Sequence, residues 1–142
     1  MNAEYEKAIR LVNNDEARFV AVLGNGEKIL SSDGGIAFLY SLAAKEGALS
    51  GAFVADRIVG AAAAFLAIKA GVRELYARVM SARAGKLLSA HGVSFTFSVM
   101  TNAVRNRADT DECPMEKAVA GISDPEQAYI AVGNALKALK TK

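Results

Sequence analysis

The stretch that most constrains the fold covers residues 51–71, GAFVADRIVGAAAAFLAIKAG. Small and apolar residues lead to one charged pair, Asp56-Arg57, and no further charge occurs before Lys69. We interpret the stretch as a buried strand at residues 50–55, a charged corner, and a helix at residues 59–70. A helix that lacks a polar face must be covered on most of its sides. The sequence therefore predicts that this helix is the centre of the fold.

The rest of the chain predicts strands and helices in alternation around this centre. Residues 18–23 and 28–30 are mostly apolar or β-branched and flank Gly24-Asn25-Gly26, a strong turn pattern that predicts a β-hairpin. The predicted order is α-β-β-α-β-α-β-α-β, followed by two more helices. Such an order favours a single domain, residues 1–142, with a three-layer α/β/α fold around a mixed five-stranded sheet.

The composition excludes several classes of protein. Hydrophobic residues make up 52% of the chain and charged residues 23%, which is typical of a soluble globular domain. The net charge of +2 and the scattered basic residues argue against nucleic acid as a partner. No apolar run is long enough to span a membrane, and the charged N-terminus does not resemble a secretory signal, so we expect a cytoplasmic protein. One cysteine and one histidine cannot build a structural zinc site, so we expect neither metal nor cofactor.

Ligands of open α/β sheets bind beyond the carboxyl ends of the parallel strands. In this chain those ends are predicted at Asp56-Arg57, at Met80-Ser81 and after Val99. We expect the three loops to converge on one crevice.

Two motifs stand out at this edge and beyond it. The first is Asp56-Arg57-Ile58-Val59-Gly60-Ala61-Ala62-Ala63. The second is Asn106-Arg107, then five residues, then Cys113-Pro114-Met115-Glu116. They resemble the D-[RK]-x-V-G-x-A-A and N-R…C-P-M-E signatures of a small family of unknown function placed in the cytidine-deaminase-like fold. The element order is similar to that fold as well.

The resemblance implies the fold without its usual zinc chemistry. In the zinc deaminases of this fold, the metal ligands and a proton-shuttling glutamate stand at the starts of helices three and four. This chain carries Gly60-Ala61-Ala62 and Ser81-Ala82-Arg83-Ala84 at those positions. None of these residue types is a zinc ligand, so we reject hydrolytic deamination by a zinc-bound hydroxide.

The first candidate site residues are Asp56, Arg57 and Gly60. Arg57 would hold an anionic group with its guanidinium, with the Val59 and Gly60 amides behind it. In the alternative, Asp56 only caps the helix and Arg57 points to solvent. Gly60 either admits a ligand closely or permits tight packing.

The second set of candidates lies around Cys113. A thiol at a helix start can act as a nucleophile, so Cys113 is the candidate catalytic residue, against the alternative of a buried or capping cysteine. Asn106 and Arg107 lie in the longest irregular segment, which carries either ligand-binding groups or a solvated loop. Glu116 is a further candidate ligand contact, although its spacing from Cys113 favours a hydrogen bond back to its own helix cap.

Three functions stay open at this stage. We favour a metal-free binding module that holds a small anionic or nucleotide-like ligand near Asp56-Arg57 and Cys113. The next is a structural protein whose apolar helices build a homo-oligomer. The third is a cysteine-dependent enzyme that uses Cys113, so the sequence leaves open whether the protein is an enzyme.

Overall fold

The computed structural model describes residues 2–32, 35–102 and 113–140, so the candidates Asn106 and Arg107 lie outside the described residues. Helices and strands follow one another in the predicted order. They are α1 (Ala3–Asn13), β1 (Phe19–Val22), β2 (Lys28–Ser31), α2 (Gly35–Ala43), β3 (Phe53–Val59), α3 (Ala61–Ala70), β4 (Glu74–Ser81), α4 (Ala82–Ala90), β5 (Ser94–Thr101), α5 (Pro114–Ala118) and α6 (Pro125–Lys140). No helix among the described residues is long and apolar enough to cross a membrane.

The strands form the predicted mixed five-stranded sheet, in the order β2-β1-β3-β4-β5. Strand β1 runs antiparallel to both of its neighbours, whereas β3, β4 and β5 are mutually parallel. The predicted hairpin is confirmed. Its turn is closed by a hydrogen bond of 2.8 Å from the Leu23 amide to the Glu27 carbonyl, and Gly26 supplies the positive φ of 90° that the turn requires.

Helices cover both faces of the sheet, but unequally. On one face lies α1, whose Ala8 and Val12 are one helical turn apart and pack among Val20, Phe53 and Tyr76. The opposite face carries the larger core, to which α2, α3, α4, α5 and α6 all contribute buried side chains. The sheet therefore separates two hydrophobic cores of different size.

The prediction of a central, apolar α3 is confirmed. Residues 61–67 are all buried, and α3 packs against α2, α4, α5 and α6. Four consecutive alanines make this possible, since small side chains let neighbouring backbone approach on every side. The helix ends at Gly71, which adopts a left-handed φ of 79° as its C-cap.

The predicted corner at Asp56-Arg57 is wrong, because β3 continues through both residues to Val59. Asp56 pairs with Phe19 of β1 and with Ala77 of β4, so main-chain hydrogen bonds on both sides hold the charged pair in the sheet. The turn comes instead at Gly60, the N-cap of α3. Asp56 therefore does not cap the helix, which removes one of the two interpretations given above.

Candidate functional site

A cavity of about 620 Å³ opens where β3 meets the starts of α2, α3 and α5. Its size suits one small molecule. Ile36, Leu39, Met115 and Leu139 are among its apolar walls. Its side chains that carry charge or a thiol are Arg18, Asp56, Arg57, Arg78, Cys113 and Glu116.

The structure brings most of the predicted site residues to this one cavity. Asp56, Arg57 and Gly60 line it from β3 and the turn that follows, and Cys113 and Glu116 line it from α5. That these residues bind a ligand stays a prediction. The geometry adds that the first motif and the described part of the second, from Cys113 to Glu116, line the same cavity.

Asp56 is the most buried polar group of the cavity, with 8% of its surface exposed. Its side chain accepts a hydrogen bond of 2.8 Å from the Arg57 amide and is also stabilised by the Ile58 amide. Among the described residues it forms no ion pair. Because burial penalises the charged form more than these amides favour it, the pKa of Asp56 is raised to about 7.

Arg57 and Arg78 converge on the carboxylate of Asp15, which follows α1. The Arg57 Nη2 and Arg78 Nη1 atoms lie 3.0 and 2.9 Å from the same Asp15 oxygen. Asp15 adopts a positive φ of 61°, a conformation that aspartate tolerates better than most residues. The hydrogen bond from Arg78 and the charge of Arg57 lower the pKa of Asp15. One exposed carboxylate therefore forms ion pairs with two guanidinium groups.

The arginines keep unused hydrogen-bonding capacity. The Nε atom of Arg57 is buried and has no hydrogen-bond partner among the described residues. Arg18, at the start of β1, is exposed and forms no ion pair within the part of the chain that the structure describes. A guanidinium has five N–H donors and no acceptor, so this group of side chains favours a further anionic or carbonyl oxygen.

Glu116 does not reach back to its own helix, as its spacing had suggested. Its carboxylate accepts hydrogen bonds from the amides of Ala61 and Ala62, at 2.6 and 2.8 Å. It thus caps α3 from another element, where Gly60 offers no side chain for the purpose. The amides of Ala61 and Ala62 are therefore occupied by a side chain of the protein itself.

Position 60 requires a residue without a side chain, because the Glu116 carboxylate lies against it. A Cβ atom built on Gly60 would come within 2.4 Å of the Glu116 Oε1 atom. The φ of Gly60 is −98°, which any residue adopts, so the need for glycine comes from the close approach and not from the backbone. This contact explains why the two motifs belong together.

Cys113 is the N-cap of α5 and is half-buried. Its side chain makes no capping hydrogen bond, which goes against the interpretation of Cys113 as a capping residue. Its place on the cavity wall keeps the thiol within reach of a bound molecule. A catalytic role for Cys113 stays a prediction.

Three contributors were missed in the sequence: Arg18, Arg78 and Asp15. Arg78 interrupts an apolar strand near its carboxyl end, a pattern that points to a site in a parallel sheet. The parallel register aligns Asp56 with Ala77 and Ile58 with Val79, which sets Arg57 and Arg78 side by side. Within the described residues, no three His, Cys, Asp or Glu side chains come together as a metal site.

Comparison with known proteins finds a matching family model and a matching solved structure. The family model described as TM1506, domain of unknown function (DUF1893), matches residues 7–136. The crystal structure of a DUF1893 family protein (TM1506) from Thermotoga maritima superimposes with a TM-score of 0.82 and 27% sequence identity, over 94% of this chain and 91% of that chain. No curated protein matches the chain.

Proposed function

The chain belongs to the DUF1893 family, and we propose that this member binds a small anionic or nucleotide-like ligand in the cavity beside Asp56, Arg57 and Cys113. The proposal includes the cytidine-deaminase-like fold that the motifs imply. It does not include zinc-hydroxide chemistry, because the positions of the zinc ligands carry glycine, serine, alanine and arginine.

The observation that carries the proposal is the gathering of Arg18, Arg57 and Arg78 on one cavity. Three guanidinium groups so close together repel one another unless anions balance them. Asp15 supplies one negative charge, which pairs with Arg57 and Arg78, and Asp56, whose pKa is raised to about 7, supplies part of a second. The Glu116 carboxylate is engaged with the amides of α3. An anionic group of a ligand would complete this charge balance.

The apolar walls support a ligand with more than an anionic group. Ile36, Leu39, Met115 and Leu139 line the cavity together with the small residues at the start of α3. Inorganic phosphate alone would leave this surface uncovered, whereas a flat or aliphatic body attached to the anion would bury it.

Calorimetric titration with a nucleoside, its 5′-monophosphate and inorganic phosphate tests the proposal. We expect the monophosphate to bind more tightly than the nucleoside, and Arg57→Gln to weaken its binding about tenfold or more, as expected for loss of a charge-assisted hydrogen bond. Arg73→Gln is the matched control, because Arg73 precedes β4 at the opposite end of the sheet and contacts the Tyr5 hydroxyl at 2.7 Å.

The proposal fails if no phosphate-bearing compound binds the protein, or if the Arg57 and Arg73 variants lose affinity equally. The melting temperature of each variant shows that it is folded, and Arg78→Gln provides a second variant of the same group. Binding by the monophosphate that Arg57→Gln leaves unchanged would place the anion elsewhere on the protein.

The homo-oligomer is the second candidate, and exposed apolar side chains favour it. Phe97, Val99 and Met100 on β5 are each more than 40% exposed, and so is Ile130 on α6. Phe97 and Val99 lie on one face of β5, and an exposed apolar patch often marks an interface. Sedimentation equilibrium tests this candidate, and a monomer at all concentrations would dispose of it. An oligomer would be compatible with ligand binding.

A further inference from the structure

The buried carboxyl group of Asp56 is not explained by an anion site. It lines the same cavity as the three arginines, yet a carboxylate repels an anionic ligand. Its partners are the main-chain amides of Arg57 and Ile58, and no cationic side chain pairs with it among the described residues. The charges of Arg18 and Arg57 favour its ionised form but do not outweigh the cost of burial, so a carboxyl group at this position requires a reason.

The side chain of Asp56 lies on the opposite side of the sheet from the ion pair between Arg57 and Asp15. Asp56 is paired with Phe19 and Ala77, whose side chains both belong to the core on the α3 side of the sheet. Paired residues of neighbouring strands face the same side, so the carboxyl group lies on the α3 side as well. Arg57, the next residue, reaches Asp15 beyond the end of α1 instead. The carboxyl group of Asp56 and the guanidinium group of Arg57 therefore line the cavity at separate points.

We propose that the ligand has two ends: an anionic group held by Arg57 and its neighbouring arginines, and a nitrogen that donates hydrogen bonds to Asp56. This inference rests on the proposed function and names the class of ligand more closely. An ammonium or N–H group of the ligand would add a donor to the two main-chain amides that already contact Asp56. The apolar walls would contact the part of the molecule between the two ends.

Asp56 also has a structural role that the experiment must separate from this one. Its carboxyl group holds the amides of Arg57 and Ile58 near the end of β3. Asparagine retains an oxygen that accepts these hydrogen bonds but loses the negative charge. Asp56→Asn therefore keeps the structural role and removes the attraction for a cationic nitrogen.

Two matched series of compounds test the inference: alkyl phosphates of increasing chain length, and aminoalkyl phosphates that carry an ammonium in place of the terminal methyl group. Chain length serves as a ruler for the distance between the two ends of the site. We expect the wild-type protein to prefer the amino compound at one length by about tenfold or more. Asp56→Asn should abolish this preference and bind the alkyl phosphates at least as well as before.

The outcomes distinguish this inference from the proposal beneath it. Equal binding of both series at every length overturns the two-ended ligand and leaves the anion site standing. Failure of all phosphates to bind overturns both. A preference that persists in Asp56→Asn also overturns the assignment to Asp56. The comparison of the two series in the wild-type protein needs no variant. It therefore shows whether the ligand has two ends even if Asp56→Asn does not fold.

Discussion

The Glu116 carboxylate caps the helix that begins at Ala61, at a distance of 2.6 Å from the Ala61 amide and across 55 positions of sequence. This contact is the physical link between the two motifs of the chain. It fixes α5, and with it Cys113, against the end of β3. Through this contact α5, which forms one wall of the cavity, is joined to the start of α3.

Replacing Glu116 by alanine should destabilise the protein by about 1–3 kcal/mol, because two amides in the first turn of α3 lose their acceptors. Glu116→Gln should have a smaller effect, since one oxygen remains. Urea denaturation measures both. Glu126→Ala is the matched control, because the Glu126 carboxylate pairs with Lys69 at an exposed position where an ion pair contributes little. Equal effects at positions 116 and 126 would contradict a capping role.

Gly60→Ala should destabilise the protein by about 1–3 kcal/mol, because the new Cβ displaces the Glu116 carboxylate from the helix start. In a Glu116→Ala background the same change should cost clearly less, since the clashing group is gone. A double-mutant cycle measured by denaturation reports the coupling. Gly24→Ala is the control, as an added Cβ there meets nothing within 4 Å. Additive effects of the two changes would show that Gly60 is small for another reason.

Local patterns predicted the sheet and α3 correctly. The hairpin, the alternation of elements and the apolar α3 follow from turn residues and periodicity, which act over a few positions. The end of α3 at Gly71 also follows from a local pattern, because a glycine after an apolar helix readily takes the left-handed conformation of a C-cap.

The parts that failed depend on pairing between distant segments. Asp56-Arg57 resembles a turn in the sequence, yet hydrogen bonds to β1 and β4 keep both residues in the sheet. The partner of Glu116 was missed for a similar reason. A glutamate near a helix start suggests a local cap, and only the tertiary fold shows that the amides of Ala61 and Ala62 are nearer. The position of Arg78 beside Arg57 required the register of two strands.

Asp56→Asn should change the pH dependence of stability. The pKa of Asp56 is about 7 in the folded protein and 3.8 ordinarily, so between these values the folded state holds a proton that the unfolded state has released. The stability that this proton provides is complete below the ordinary pKa and is lost as the pH rises through about 7. The loss is on the order of 4 kcal/mol, and the asparagine variant lacks it.

Denaturation of wild type and Asp56→Asn across this pH range measures the effect. Relative to wild type, the variant should gain stability steadily from about pH 4 to about pH 8. Other titrating groups contribute to both proteins and cancel in the difference. A difference that does not change with pH would mean that Asp56 titrates normally and that burial does not raise its pKa.

Alkylation of Cys113 tests both its reactivity and its place on the cavity wall. It is the one cysteine of the chain, so the amount of carbamidomethyl group incorporated from iodoacetamide reports this thiol alone. We expect a rate below that of free cysteine, because the side chain is half-buried. A nucleoside monophosphate that fills the cavity should slow the reaction further, and Arg57→Gln should weaken this protection.

Cys113→Ser should retain ligand binding if the protein is a binding module. A rate far above that of free cysteine, together with loss of a turnover activity in Cys113→Ser, would instead favour a cysteine-dependent enzyme.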